Sequence, residues 1–505
     1  MRSESAQQSG ALEQRAGYVT RVGGVLACIF SIPSALVVLG LSSAWLYFWA
    51  GDLHRFTQWI AAYESLFVAQ FAIYVAACYA VVRLPCTLSR RMSILAVAIV
   101  LVFAAGFRAE LIGKRPYLST DVYRYIWDGR VQSAGINPYR YVPSAEELAG
   151  LRDENIYSKI NRGDYAITPY PPVAQMVYAA IYWVKPSSVA AFKATMSMFD
   201  LLTMLALVVV LARAGLEPAR VVLFAWNPLL IFEAAHSGHV ESAFIVFLAL
   251  ALLAWSYRKP SLAGIGLGLA TMVKFYPALL LPIFLVANND SREDTGTSKQ
   301  RGRTIRRLLS RYNIVLGVAF VLTMALSYAP YLSVGTGALG SLGSEFREEG
   351  FVDNGGRYFL LALCRRILPL STTAFVVLAA LLLAGIGVWW LLSRKKDEVE
   401  VARGALALIG AYLLITSPRY PWHYAWLIPY LCFAPRAGWI YLTGATVLLY
   451  LLWYTPLEYP DVPLWLGAAV YIPTMGFLVW EWWKSRTNHE QSERLRRSPF
   501  ESMHP

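Results

Sequence analysis

Charge is scarce in this chain of 505 residues: Asp, Glu, Lys and Arg together make 15% of it, where a soluble domain carries ~25%. Histidine is scarcer still, at 6, and cysteine numbers 5. Cys28, Cys78, Cys86, Cys364 and Cys432 lie in or beside apolar stretches with no CxxC or metal-ligand spacing. Neither a disulfide framework nor a structural zinc site is therefore expected to hold the fold. No polar stretch between the hydrophobic runs is long enough for a soluble domain of ordinary size. Lipidation motifs are missing too. The apolar run that follows MRSESAQQSGALEQRAGYVTR is too long for the core of a cleavable signal peptide, so residues 1–21 are expected to be an uncleaved cytoplasmic tail.

What is present is apolar. The chain is 57% hydrophobic with a mean hydropathy of +0.45, and runs of the ~20 residues needed to cross hydrocarbon follow one another from Val22 almost to Trp483. A formal charge of +13 would suggest nucleic acid in a soluble protein. Here the basic residues sit in short loops between apolar runs, the pattern of the positive-inside rule. Four of them set the frame as cytoplasmic: RLPCTLSRR at 83–91, the loop 288–312, SRKKDEVEVAR at 393–403 and the tail 484–505. Spans at 24–49, 57–83 and 92–112 then deliver the acidic segment 113–168 to the outer side. Residues 170–184 are short and open on a proline pair, so an embedded or juxtamembrane helix that does not cross keeps the parity. Spans follow at 190–213, 219–235 and 240–256. A hairpin of two short helices, 261–273 and 277–288, turns at Lys274. Beyond it come 313–332, an outer loop 333–357, and spans at 371–393, 404–417, 424–435, 438–455 and 464–483. The expected class is an all-α polytopic bundle of about 12–14 spans within one membrane domain, 22–483, whose long first outer loop contains juxtamembrane helices.

Under this topology the polar clusters at 121–139, 233–241, Lys274, 347–357 and 419–423 gather on the outer side, and none of comparable size sits at the inner ends or mid-membrane. A transporter wants such residues near the midplane. Chemistry at the outer interface is the better fit.

Three groups carry candidate chemistry. In TDVYRYIWDGRVQSAGINPYRY, a helix opening at Asp121 places Asp121, Tyr125 and Asp128 on one face with Arg124 between them. A transferase needs such a carboxylate to take a hydroxyl proton near cations that hold a departing phosphate. The same residues are equally a first-turn acid complementing the helix dipole and an Arg124–Asp128 i,i+4 ion pair. In NPLLIFEAAHSGHVESA, Glu233, His236, His239 and Glu241 share one turn. Divalent-metal ligation is possible for such a set but not favoured, since no ligand spacing is met; hydrogen bonding to sugar or phosphate is preferred. The third group is cationic. Lys274, Arg357 and Arg419 are candidates for a phosphate, which Arg grips bidentately and Lys meets as a point charge; the alternative for each is snorkelling to lipid headgroups. His423 and the Tyr residues of the outer loops complete the candidate sugar-binding set.

The stretch DVYRYIWDGRVQSAGINPYRY, the Tyr170-Pro171-Pro172 that follows it, NPLLIFEAAHSGHVESA, KFYP at 274–277 and PRYPWHYAWLIPYL together resemble, in this order, segments of the polyprenyl-phosphate-dependent GT-C membrane glycosyltransferases. Bacterial mannosyltransferase-like and family 87 proteins are the nearest in pattern. The likeness covers roughly residues 90–435. It implies inverting transfer of a hexose, most commonly mannose, from a polyprenyl-phosphate donor to a hydroxyl of a glycan, lipid or protein, in a multi-pass protein of the plasma membrane with its site outside. Asp121 matches the acid that acts as general base, and Asp128 would assist. Arg124, Lys274, Arg419 and Arg357 would hold the donor phosphate, and Tyr170 would frame the donor groove with Tyr125, His236, His239, Glu241 and His423 around the substrate. No cofactor and no nucleotide-sugar site is implied. Two departures stand out: more than one span precedes the acidic loop where many relatives have one, and no second acid follows Asp121 directly. A flippase or transporter of lipid-linked sugars is the competing reading, and a membrane scaffold without catalysis a third. The scaffold leaves unexplained why acids, histidines and cations collect on one side.

Overall fold

The computed structural model describes residues 32–55, 58–83, 88–285, 309–340, 358–392, 397–454 and 461–497. Arg357, with the rest of the outer loop from 341 onward, lies outside the described residues, as does most of the basic loop 288–312. In chain order the principal helices are α1 (Ile32–Ala50), α2 (Trp59–Arg83), α3 (Arg90–Ile112), α4 (Asp121–Ser133), α5 (Pro172–Val184), α6 (Val189–Arg213), α7 (Glu241–Ser256), α8 (Pro260–Thr271), α9 (Arg311–Ser327), α10 (Thr372–Leu392), α11 (Glu398–Thr416), α12 (Ala437–Tyr454) and α13 (Leu464–Arg497). Among the described residues there is no strand, as the all-α membrane class requires. Hydrocarbon offers no water to backbone N–H and C=O groups, so a segment that crosses it satisfies them within its own helix.

Among the described residues eight helices are long and apolar enough to cross a membrane: α1, α2, α3, α6, α10, α11, α12 and the Leu464–Thr487 part of α13. A ninth arises if α9 is joined to its continuation Ala329–Leu339, which bends away by 86°. The larger number counted from sequence includes segments that fold as short pieces. The stretch expected to span at 219–235 becomes Pro218–Val221, Val222–Ala225, Pro228–Ile231 and the π-helical Phe232–Ser237, while 424–435 falls in Pro421–Leu427 and Ile428–Leu431. Proline stands at the start of Pro218–Val221, Pro228–Ile231, Pro421–Leu427 and Ile428–Leu431, where its missing N–H costs nothing and its ring blocks continuation of the turn before. Helix α5 has 13 residues, about 20 Å of length, which is short of the ~30 Å hydrocarbon. By length it is too short to cross alone, which agrees with the reading of this segment as non-crossing.

Burial sorts the helices. α10 shows apolar side chains such as Val377, Leu378, Leu381 and Leu382 on its surface, and with lipid as solvent that exposure is favourable. α7 is apolar and buried along most of its length, the mark of a central helix. Every residue from 221 to 246 is buried, so the turn that carries Glu233, His236, His239 and Glu241 lies in the interior of the protein. Glycines allow helices to approach closely, since a Cβ at Gly264 of α8 would lie 2.3 Å from the Leu316 carbonyl oxygen of α9, and one at Gly129 of α4 would lie 2.6 Å from that of Tyr178 in α5.

One ionic feature departs from the sequence reading, which placed no polar cluster of note away from the outer ends. Arg108 of α3 and Asp200 of α6 form a fully buried pair, Nη2 to Oδ2 2.8 Å and Nε to Oδ2 2.9 Å. Arg108 also donates to the carbonyls of Ala104, at 3.1 Å, and Ala225, at 3.0 Å. Ala225 ends the piece Val222–Ala225, so the guanidinium satisfies a carbonyl that the helix break would leave without its own partner. This cation pins α3, α6 and the broken helix together ahead of the His239 turn.

Candidate active site

Asp121 is the first residue of α4, preceded by Thr120 as N-cap, and its backbone N–H donates to Ser119 Oγ at 3.2 Å. A carboxylate in the first turn is stabilised by the helix dipole. Its side chain is 19% exposed, whereas its neighbours His239, Glu233 and Glu241 are 1–2% exposed, so among these acids it alone opens toward an incoming molecule. Oδ1 accepts a 2.7 Å hydrogen bond from Asn161 Nδ2, and Oδ2 stands 3.8 Å from His239 Nδ1.

The sequence builds the His239 turn from a break and a glycine. Asn227 caps the piece Pro228–Ile231 through Oδ1, which accepts from the Leu229 N–H at 3.1 Å. The helix then widens into the π turn Phe232–Ser237 and stops at Gly238, whose φ is +75°. π turns recur at functional sites, and a left-handed backbone favours glycine. Space demands it as well, because a Cβ at Gly238 would lie 3.0 Å from Lys193 Cγ and 3.1 Å from Val122 Cγ2. The chain reverses there, and the His239 N–H donates to the Glu233 carbonyl at 2.8 Å.

The imidazole of His239 stands among three carboxylates. Nε2 is 3.5 Å from Glu233 Oε2 and Nδ1 is 4.0 Å from Glu241 Oε2, besides its approach to Asp121. Burial pushes the ring's pKa below its ordinary value against the pull of Asp121 and Glu241. Trp422 stacks on it with 4.0 Å between centroids, and Trp422 in turn stacks on Tyr420 at 4.7 Å. Glu233 accepts through Oε1 from the Tyr450 hydroxyl at 2.6 Å. Glu241 is ion-paired with Lys274 at the turn after α8, whose ammonium also lies 5.9 Å from the centre of the Tyr170 ring. Tyr170 donates to the Tyr125 hydroxyl at 3.2 Å, and Tyr125 stacks on Tyr178 at 4.8 Å.

Of the residues singled out from sequence, Asp121, His239, Glu241, Lys274, Tyr170 and Tyr125 are thus brought together. Arg124 and Asp128 are committed to each other: Arg124 Nε donates to Asp128 Oδ1 at 3.0 Å and Arg124 Nη2 to the Ala166 carbonyl at 3.0 Å. Asp128 also accepts from Gln175 Nε2 at 3.0 Å. This buried i,i+4 pair joins α4 to α5 and to the loop that links them. His236 packs edge-on against Tyr117 with centroids 4.1 Å apart. His423 belongs to an aromatic group with Tyr276, Tyr420 and Trp422, and Arg419 is buried two residues before the proline that opens its piece. Among the described residues no group of three His, Cys, Asp or Glu side chains is arranged to hold a metal ion.

Sequence reasoning did not single out Asn161, Trp422 or Tyr450. Asn161 is one polar residue in a polar loop and Tyr450 one aromatic in an apolar run, so neither carries a local signal. Arg108 and Asp200 did carry one, as ionisable residues inside apolar runs.

The family profile described as Alpha-(1->6)-mannopyranosyltransferase, N-terminal domain, matches residues 24–289, just over half of the chain and inclusive of Asp121, His239, Glu241 and Lys274. The chain belongs to this family of mannopyranosyltransferases. Glycosyltransferase family 87 matches residues 168–418, which takes in the Tyr170 segment and the His239 turn and ends just before Arg419. No curated protein matches the chain. The protein is an integral membrane glycosyltransferase, and the clustered residues of the α4 start, the His239 turn and the α8 turn form its candidate active site.

Proposed function

We propose that the protein moves a mannosyl residue from a polyprenyl-phosphate donor to a hydroxyl of a glycan, lipid or protein acceptor at the outer face of the plasma membrane, with inversion at the anomeric carbon. The observation that carries this reading is Asp121, a partly exposed carboxylate at a helix start, facing a buried set that ends in the Lys274 ammonium. Asp121 takes the proton of the acceptor hydroxyl as its oxygen attacks C1 from the side opposite the phosphate. The C1–O bond breaks, its electron pair leaves with the polyprenyl phosphate, and Lys274 meets the charge that develops there. Pairing with Glu241 keeps Lys274 aimed at the site before the donor arrives. Arg419 is the second cation for the phosphate, and Tyr170, backed by the buried Tyr125, borders the site beside Lys274. Arg124 and Asp128 support α4 rather than touch the donor. A lipid-linked donor suits a site built by membrane helices, since the prenyl chain stays in hydrocarbon while the sugar reaches the polar cluster.

The experiment is transfer by purified protein in lipid vesicles, with a cell-envelope extract as acceptor and mannose radiolabelled either on polyprenyl phosphate or on a nucleoside diphosphate. Label entering product from the polyprenyl donor alone supports the reading. Transfer from the nucleotide sugar alone would overturn it.

A further inference from the structure

Asp121 is held from two directions by residues that no part of the family match assigns a role. Asn161 reaches it from the outer loop, donating to Oδ1 at 2.7 Å, and His239 approaches Oδ2 from the interior turn at 3.8 Å. The loop that delivers Asn161 is itself fixed. Ser144 N–H donates to the Gly163 carbonyl at 2.8 Å, and Arg152 Nη2 to the carbonyls of Ser144 and Ala145, both at 2.6 Å. Asp153 accepts from the N–H groups of Ile156, at 2.9 Å, and Tyr157, at 3.0 Å. It also accepts from Arg130 Nη2 at 2.8 Å. Arg130 lies on α4, the helix that Asp121 opens, so the loop leaves that helix at one end and is tied back to it before presenting Asn161 to the other. The Arg130 guanidinium holds the Asp153 carboxyl well below the usual carboxylate range, so the tie between loop and helix is an ion pair.

The inner support is equally constrained. Both ring nitrogens of His239 are buried and make no hydrogen bond among the described residues, although Trp422 fixes the plane of the ring. A buried donor without a partner costs ~1–3 kcal/mol, and the ring is offered to the carboxylates around it. The charged and titratable groups that face it are Asp121 on α4, Glu233 on the π turn, Glu241 on α7 and Lys274 after α8.

We propose that Asn161 and His239 are positioning residues of the transfer reaction: together they fix the orientation of Asp121 and set the pH above which its carboxylate accepts the acceptor proton. This rests on the assignment of Asp121 as the base. A carboxylate that accepts from Asn161 is favoured in its charged form, and the His239 ring, 3.8 Å from the other oxygen, limits its rotation. Removal of either neighbour frees the side chain to rotate and moves the acid limb of the rate profile.

The test is kcat against pH for purified wild type, Asn161→Asp, Asn161→Ala, His239→Leu, His239→Gln and Asp121→Asn, with polyprenyl-phosphate mannose as donor and rates normalised to monodisperse protein. Asn161→Asp keeps the shape of the side chain but brings a second carboxylate against Asp121, and like charges at this separation disfavour joint ionisation. Its acid limb is expected to move up by at least one pH unit while the donor KM changes less than threefold. His239→Leu is expected to lower kcat by about tenfold, about 1.4 kcal/mol in the barrier, and His239→Gln, which keeps a polar side chain beside Asp121, to regain most of it. If Asn161→Asp does not fold, Asn161→Ala carries the same prediction through a smaller upward shift. Acid limbs that coincide with wild type, with only lower plateaux, overturn the proposal and leave both residues structural. Asp121→Asn separates the two levels: an active Asp121→Asn variant removes the base assignment itself, whereas an inactive one beside unshifted limbs overturns only the positioning role.

Discussion

Gly238 is the residue on which the geometry of the site turns, because its left-handed φ of +75° lets His239 double back beneath Asp121. An alanine there costs about 1–2 kcal/mol for the conformation alone, and its Cβ would press on Lys193 Cγ and Val122 Cγ2. Gly238→Ala is expected to fold with a lower melting temperature and to lose at least tenfold in transfer rate, measured on the same purified sample; an unchanged rate would mean that the turn does not position the chemistry. Lys274 makes a second prediction at this scale. Lys274→Met paired with Glu241→Gln, so that no buried acid is left without its cation, is expected to lower kcat/KM for the donor by about 10- to 100-fold, the worth of a charge-assisted hydrogen bond. Lys274→Arg should recover only part, since a fork of donors does not replace a compact ammonium. The sequence made Asp121, His239, Glu241 and Lys274 legible because polar residues in an apolar chain stand out and need a reason. It left Asn161 and Tyr450 unreadable, because their roles come from contacts across 40 and 217 residues of chain.

Elements add what single residues cannot. Long helices such as α2, α3 and α6 were legible from their runs of apolar residues, and so was the short α5, by its length and its opening prolines. The interior between residues 218 and 237 was not, since the same apolar composition fits one spanning helix or four short pieces. Prolines decide between these, and buried polar groups then satisfy the ends they create. The Arg108–Asp200 pair is the clearest case, for it ties α3 to α6 and reaches the Ala225 carbonyl at the break. Removing one partner of a buried pair costs ~3–5 kcal/mol, whereas replacing both by apolar residues of similar volume is often close to neutral. Asp200→Leu is therefore expected to lower thermal stability in detergent sharply, and Arg108→Met with Asp200→Leu to regain much of it. A double variant as unstable as the single one would show that the Ala225 carbonyl, not the ion pair, is what Arg108 serves.

At the scale of the whole molecule, the helices form a scaffold whose interior turn and α4–α5 loop converge on one carboxylate. The all-α membrane class was readable from composition alone, and the proposed sidedness rests on where the basic loops fall. In a variant without native cysteines, Asn155→Cys on the exposed part of the outer loop is expected to react with a membrane-impermeant maleimide in intact cells. Ser485→Cys near the end of the last span is expected to react only after permeabilisation; the reverse pattern would put the site on the cytoplasmic face. The most direct measurement of the central claim is transfer of radiolabelled mannose from polyprenyl phosphate by matched amounts of wild type and Asp121→Asn. Label should enter product with wild type and fall by at least a thousandfold with the variant, whereas equal transfer by both would contradict Asp121 as the base on which this site is built.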